Sequence, residues 1–350
     1  MTPMKKLRFG VIGAGGIADR RTMPGILASR HASLTALMNP KEADARRLME
    51  KYGAKAAYTD AAALVQDPDV DAVYIASPVA EHLRQALIVC EAGKPLLIEK
   101  PLALNSADGQ TIIDAFAKKG IPLAAGLMMR FGSHIRQMKA HYQAGDIGPL
   151  VSLYSRFSCW YPDIPGAWRQ SPQTGGGGAL MDMGVHVIDL IAYITASPIR
   201  QVAAMQDSQT FAYQVEDASA LLMRLENGAL CTLQSHFNIP DDAADWRLDL
   251  FGTLGCMLGA GVLGQVDGGS LQMLSQKETG GYDSRQDGRR PALTPLAAEY
   301  GDLYAREIDS FSLSVLTGQP LEAPAEAALT AQRVVEAAYR SQKEGIFVEV

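Results

Sequence analysis

Hydrophobic and polar positions follow two different rhythms along this chain, and the change of rhythm divides it. In the first third, short apolar runs alternate with stretches of helical period. Leu7 to Ile12 is an apolar run behind basic residues and predicts a buried strand that stops on Gly13-Ala14-Gly15-Gly16. Ile17 to Ser29 predicts a helix, with Pro24 restarting a turn at its first position. Ser33 to Met38 predicts a second strand ending at Asn39-Pro40, and Asp44 to Lys51 a second helix. Thr59 is expected to cap another. Asp71 to Ala76 predicts a strand ending at Ser77-Pro78, followed by a helix from Val79 to Ala92 that Gly93 closes. Leu96 to Ile98 predicts a strand that runs into Glu99-Lys100-Pro101. Ser106 is expected to cap a helix through Lys119, Gly120 ends it, and Pro122 to Leu127 predicts a further strand. Strand and helix alternating over short connections predict an α/β, doubly wound parallel sheet whose ligands sit beyond the carboxyl ends of the strands. Gly13, Asn39, Ser77 and Lys100 all fall at such ends.

From Leu150 the pattern changes to longer alternating runs with few helices between them. Leu150 to Ser158, Val202 to Gln206, Ser219 to Leu225, Ala229 to His236 and Arg247 to Phe251 predict strands, and Asn227-Gly228 is a hairpin turn between two of them. The spacing predicts an antiparallel or mixed sheet, interrupted by one helix from about Gly178 to Thr195. A one-faced sheet must cover its open face, and another subunit is expected to supply what that helix does not. Gly259 to Arg290 reads as a loop, Ala298 to Thr317 and Pro324 to Lys343 as helices, and Phe347 to Val350 as an edge strand.

Composition narrows the picture. At 350 residues two domains are expected, and the divide is drawn between residues 1–128 and 129–350. Hydrophobic content of 47% with 20% charged residues excludes disordered and fibrous classes. A net charge of −6 without a basic run gives no reason to expect nucleic acid. Met1 to Lys6 leads straight into the first strand, so a cytoplasmic location is expected, and no apolar run reads as a membrane span of roughly 20 residues. Cys90, Cys159, Cys231 and Cys256 show no metal-ligand spacing and are expected to be reduced and buried.

The chemistry begins at the glycine turn. Gly13 permits the tight turn, Gly15 lets the backbone approach a pyrophosphate, and Ala18 lets the helix lie close on the strand. The helix start offers N–H groups to phosphate, so Ala14, Gly16 and Ile17 join the expected cradle. The alternative is a strand-to-helix turn without ligand. An acid at the end of the second strand would serve the adenosine ribose, but Asn39 stands there. A neutral amide with Lys41 nearby leaves NAD and NADP both open, with a slight lean to NADP; Asn39 equally well begins a turn with Pro40. Asp182 and His186 are four apart on one predicted helix, where a carboxylate could orient an imidazole base. The competing reading is a surface pair, against which the apolar surroundings argue. Lys100 could steady an alkoxide or be a solvated charge at a strand end. Tyr161, Trp168 and Arg169 in the loop from Cys159 suit the C–H face and hydroxyls of a sugar, or anchor the loop. His82 could line a nicotinamide pocket or cap that end of the sheet.

Taken in order, Gly13-Ala14-Gly15-Gly16-Ile17-Ala18, Ser77-Pro78 with His82, Ala92-Gly93-Lys94-Pro95 leading to Glu99-Lys100-Pro101, and Gly177 to Asp189 resemble the glucose-fructose oxidoreductase, inositol dehydrogenase and rhizopine-catabolism (Gfo/Idh/MocA) family. Arg130-Phe131, Trp168-Arg169 and Glu226-Asn227-Gly228 share that likeness. The resemblance implies a Rossmann domain followed by an α+β domain with a large open, mainly antiparallel sheet used for homodimer or homotetramer contacts. It implies NAD or NADP as cofactor, with Ser77, Pro78, His82, Glu99 and Lys100 on the cofactor side. It further implies that Lys100, Asp182 and His186 converge on the nicotinamide. The activity implied is oxidation of a sugar or polyol, with an NAD-dependent glycosidase or a dinucleotide-sensing regulator as alternatives.

Overall fold

In the computed structural model, which describes residues 5–279, 284 and 292–350, the alternating first third becomes a six-stranded sheet. Its elements are β1 (Leu7–Ile12), α1 (Met23–Ala28), β2 (Ala32–Met38), α2 (Glu42–Tyr52), β3 (Ala56–Tyr58), α3 (Ala61–Gln66), β4 (Ala72–Ile75), α4 (His82–Glu91), β5 (Leu96–Glu99), α5 (Ser106–Lys119) and β6 (Leu123–Gly126). All pairings are parallel, in the order β3-β2-β1-β4-β5-β6. The strand order reverses between β1 and β4, and ligands of such sheets bind at that point.

Two helix caps lie one residue from their expected positions. Asp60, not Thr59, accepts the Ala63 amide at the start of α3, and Asn105, not Ser106, accepts the Asp108 amide at the start of α5. Both pairs of neighbours are cap-forming types, so composition alone does not separate them. Strand β3 falls in a stretch without an apolar run, and all three of its residues are half-buried.

The later elements are α6 (Ser133–Gln143), β7 (Leu150–Ser158), α7 (Pro172–Gly175), α8 (Val185–Thr195), β8 (Ile199–Asp207), β9 (Ala218–Leu225), β10 (Leu230–His236), β11 (Arg247–Gly252), β12 (Gly255–Ala260), β13 (Ser270–Ser275), β14 (Thr294–Leu296), α9 (Leu303–Thr317), α10 (Ala325–Glu344) and β15 (Val348–Glu349). They supply a nine-stranded sheet in the order β14-β13-β12-β11-β7-β10-β9-β8-β15. The β7–β10 pair is parallel and every other pair antiparallel. The stretch read as a loop from Gly259 to Arg290 thus contains β13; from 280 to 290 all but 284 lies outside the described residues. Residues 298–302 precede α9 rather than opening it, because Asp302 caps the helix at the Ala305 amide.

Two compact units result: Met1–Met128, Gly166–Gly176 and Asp302–Gln332 in the first, and Met129–Pro165, Gly177–Gly301 and Arg333–Val350 in the second. In the first, the sheet is buried on both faces. Ile12, Ile75, Ile98, Leu64, Val89 and Phe116 pack on one side, and Phe9, Val11, Leu37, Leu97, Ile26 and Phe311 on the other. Burial of each such side chain contributes roughly 1.5–3 kcal/mol, which is why these strands read as continuous apolar runs.

In the second unit the sheet is one-faced. Along β9 and β10, Leu221, Met223, Cys231 and Leu233 are buried while Leu222, Arg224 and Leu230 are exposed. Helix α8 is buried almost all round, as a core helix is. The helical stretch Pro172–Thr195 is long and apolar enough to cross a membrane, contrary to the expectation that no run would be, yet 83% of its most apolar window is buried within the protein. Cys90 and Cys231 are buried free thiols; Cys159 and Cys256 are half-buried rather than buried.

Asp189 on α8 faces Arg130 in a buried bidentate pair, Nε to Oδ2 at 2.8 Å, with the guanidinium over the Tyr193 ring at 4.8 Å. Replacing one partner of such a pair leaves the other charge buried and uncompensated. Asp189→Asn should therefore lose about 3–5 kcal/mol in a urea titration. Arg46→Ala, which breaks the exposed pair with Glu42, should change stability by less than about 0.5 kcal/mol. Equal losses in the two variants would contradict this ranking.

Candidate active site

The turn after β1 is fixed by close backbone contact. Gly13 has φ of 81°, and a Cβ there would stand 2.5 Å from the Ser77 nitrogen, so only glycine lets the turn meet the end of β4. The amides of Gly13 and Ala14 both donate to Met38 O, tying the turn to the end of β2. Asn39 completes the tie: Nδ2 donates to Ala14 O at 2.6 Å, and Oδ1 accepts the Lys41 amide at 2.9 Å. Asn39 thus does begin a turn at Pro40, and it also braces the glycine loop.

Beyond that bracing the loop is open. A Cβ on Gly15 would meet nothing nearer than Asn39 Nδ2 at 3.5 Å, and one on Gly16 nothing within 4 Å. Bare backbone bordering open space at the switch point fits a dinucleotide pyrophosphate; Ala14 within this turn is buried, and Ile17 enters the helical stretch that begins at Ala18. No acid ends β2. Glu42, the nearest, is exposed and paired with Arg46, and Lys41 is exposed beside it.

The next strand ends are joined by His82 and Gln85, at the start of α4. Ser77 Oγ donates to Gln85 Oε1, His82 Nε2 faces Ser77 O at 3.0 Å, and Nδ1 faces Pro101 O at 3.1 Å. A neutral ring donates to one of these carbonyls, and burial pushes the imidazole pKa down to about 4. His82, expected on the cofactor side, has no exposed surface here, and both its ring nitrogens face main-chain carbonyls. It links the Ser77-Pro78 turn to Lys100-Pro101, whose peptide is cis. Gln85 carried no signal in the sequence.

Trp168 and Arg169 belong to this same unit. Arg169 lies over the Trp168 ring at 4.1 Å, and α7, just after them, packs on the turn Val79–Glu81 that follows Ser77-Pro78. Glu99 precedes Lys100 with its carboxyl turned inward, where Oε1 accepts the Tyr74 hydroxyl at 2.8 Å. Burial raises the Glu99 pKa, against the pull of that hydroxyl and of the Lys100 and Arg169 charges. Close by is a second carboxyl absent from the sequence reading, Glu307 on α9. It is 1% exposed, and neither oxygen has a hydrogen-bond partner of normal geometry among the described residues. Burial first, and the Glu99 charge second, hold its pKa well above the usual carboxylate range, with only partial relief from the Leu127 amide.

Tyr161, Asp182 and His186 lie in the second unit. Asp182 sits in a π turn, Leu180–Gly184, and His186 in the first turn of α8, so an irregular turn replaces the continuous helix expected there. Isolated π turns are frequent at functional sites. Asp182 is half-buried and His186 buried. Tyr161 packs its ring on Phe237 at 5.0 Å, and its carbonyl accepts the Tyr213 hydroxyl.

Residues 7–127 match the family model described as an oxidoreductase family with an NAD-binding Rossmann fold, and residues 135–258 match the GFO/IDH/MocA C-terminal domain. The chain is 27% identical over 350 residues to a D-xylose 1-dehydrogenase (NADP(+)) of Haloferax volcanii, covering 98% of this chain and 100% of that protein. Identity to a myo-inositol 2-dehydrogenase of Thermotoga maritima is 27% over 320 residues, with 90% of each chain covered. The crystal structure of an aldose-aldose oxidoreductase from Caulobacter crescentus, complexed with glycerol, is similar with a TM-score of 0.88 and 25% identity, covering 99% of this chain and 100% of that one.

The buried Glu307 carboxyl gives a signed pH effect. A folded-state pKa above the unfolded one means the folded protein keeps a proton that the unfolded chain releases. The stability this group contributes is full below the unfolded value and is lost as pH rises toward the folded one. Between about pH 5 and about pH 8 the midpoint of thermal unfolding should therefore fall less in Glu307→Gln than in the wild type. A steeper fall in the variant would contradict the assignment.

Proposed function

The chain belongs to the GFO/IDH/MocA family of NAD(P)-binding oxidoreductases, and on that premise we propose that it moves hydride between NADP, in preference to NAD, and a secondary alcohol or matching ketone of a sugar, cyclitol or related polyol. The observation that carries this reading is the open glycine loop at the switch point of the parallel sheet, braced by a neutral Asn39 where an acid would repel a 2′-phosphate. Lys41 supplies a cation beside it. The substrate class is supported by relatives named for D-xylose and myo-inositol.

When bound, the nicotinamide supplies the hydride acceptor or donor. The chain's own residues handle the proton and the charge. In the oxidising direction His186 accepts the hydroxyl proton, Asp182 orients the imidazole and balances the imidazolium, and Lys100 steadies the oxygen as negative charge develops. Tyr161, Trp168 and Arg169 present ring faces and donors suited to a polyol. Glu99 and His82 hold the Lys100 segment in place. The open face of the nine-stranded sheet, with Met205, Leu222, Leu230 and Phe251 exposed, is the surface through which we expect a homodimer or homotetramer to form.

Two measurements test the reading. Fluorescence titration of reduced cofactors, after removal of any carried through purification, should give tighter binding of NADPH than of NADH. Preference for NADH would overturn the phosphate role of Asn39 and Lys41. His186→Ala should lower turnover by roughly 10²–10⁴-fold with cofactor affinity retained. Near-normal turnover would remove His186 from the chemistry.

A further inference from the structure

The π turn that carries Asp182 lacks a cap of its own. It follows Gly177-Gly178-Ala179, which offers no capping side chain. Its amides are met from elsewhere in the same unit. Glu216, just ahead of β9, accepts the Gly178 amide at Oε2 (3.0 Å) and the Leu180 amide at Oε1 (2.9 Å), and its main-chain oxygen accepts the Ala179 amide (3.0 Å). Tyr339, on α10, donates its hydroxyl to the same Oε1 at 3.0 Å. Three successive amides at the start of the turn thus end on a single residue, whose carboxylate also faces the positive end of the helix.

The glycines before the turn are shaped by this arrangement. A Cβ on Gly178 would stand 2.0 Å from Glu216 O, and one on Gly177 2.0 Å from the Tyr339 hydroxyl oxygen. Glu216 is itself held in place by its neighbour. The Asp217 carboxylate collects the amides of Gln209, Thr210 and Phe211 and the side-chain amide of Asn238. At its far end the turn is pinned by Gly184, where a Cβ would stand 2.8 Å from Ser235 Oγ on β10. Asp182 lies two residues beyond the last clamped amide, and its own amide returns to Gly178 O at 2.9 Å. A shift of the clamped end therefore moves Asp182 directly.

We propose that Glu216 and Tyr339 are positioning residues for the reaction, setting the place of Asp182 and through it the orientation of His186. The proposal rests on the catalytic reading of those two residues given above. Glutamine at 216 has one acceptor oxygen for the three donors that Glu216 now serves through two, and it turns an N–H₂ toward at least one amide. Tyr339→Phe removes a single donor and leaves the amides paired, which makes it the milder variant should Glu216→Gln fold poorly.

The test uses the full chain with NADP+ and whichever of D-xylose, D-glucose or myo-inositol it oxidises fastest. Glu216→Gln should lower kcat by about 10- to 100-fold, as expected for a misplacement of about 1 Å, with the Kd for NADPH within about twofold of wild type. Hydrogen exchange in the peptide spanning Gly177 to His186 should quicken by about tenfold or more, and Tyr339→Phe should show smaller changes in the same direction. Arg8→Ala, which opens an ion pair with Asp71 in the other unit, controls for lost stability and should leave kcat unchanged. Wild-type kcat in Glu216→Gln beside an inactive His186→Ala would overturn the clamp alone. So would a fall in kcat that Arg8→Ala reproduces, or one matched by an equal loss of NADPH affinity. Full turnover by His186→Ala would instead overturn the catalytic reading beneath it.

Discussion

The approach of the turn after β1 to the end of β4 is the constraint on which the first unit depends. Backbone meets backbone there at a distance that excludes a side chain, so Gly13 is required and the strand ends on either side of the switch point are brought together. The amides of that turn share Met38 O, Asn39 braces it, and Ser77 passes the same register on through His82 to Pro101. A chain of contacts, each ending on a main-chain group, therefore runs from the open glycine loop to the segment carrying Lys100. Each link depends on backbone geometry more than on apolar burial, while the packed faces of the sheet hold the strands from which the links project.

Much of this was legible because it follows from local steric rules. Gly13 and Gly120 both adopt positive φ where the sequence predicted a turn and a helix end, and Asn227-Gly228 joins β9 to β10 in an antiparallel pair. Strand β7 spans the residues its alternation predicts. The features that were not legible each have a physical reason. A three-residue strand such as β3 is too short to show a period, and β13 was hidden among glycines and polar residues. The π turns at Ala18–Thr22 and Leu180–Gly184 break the helical period without changing composition. Glu216 acts across 36 to 38 positions of sequence, beyond the reach of any local pattern.

Glu307 is a different case, since its signal was present. Tyr304, Glu307, Ile308 and Phe311 fall at the spacing of one apolar stripe on α9, and all four are buried. An acid on such a stripe is costly unless it is neutral or paired. Together with Glu99 and Tyr74 it puts two carboxyls in the low-dielectric interior of the unit that holds Lys100, and there one carboxylate discourages ionisation of the other. Burial raises the Glu216 pKa in the second unit as well, but there the amides of Gly178 and Leu180 and the Tyr339 hydroxyl pull the other way, so this carboxyl has the partners that Glu307 lacks.

On this reading, carbon-bound hydrogen passes directly from a polyol to a nicotinamide held by this chain. Incubating the enzyme and NADP+ with D-xylose, D-glucose and myo-inositol deuterated at carbon, followed by mass spectrometry of the cofactor, tests it most directly. Reduced cofactor carrying deuterium from at least one of these compounds is expected, accompanied by the matching ketone or lactone. Absence of reduced cofactor with all three, or reduced cofactor without the label, would contradict it.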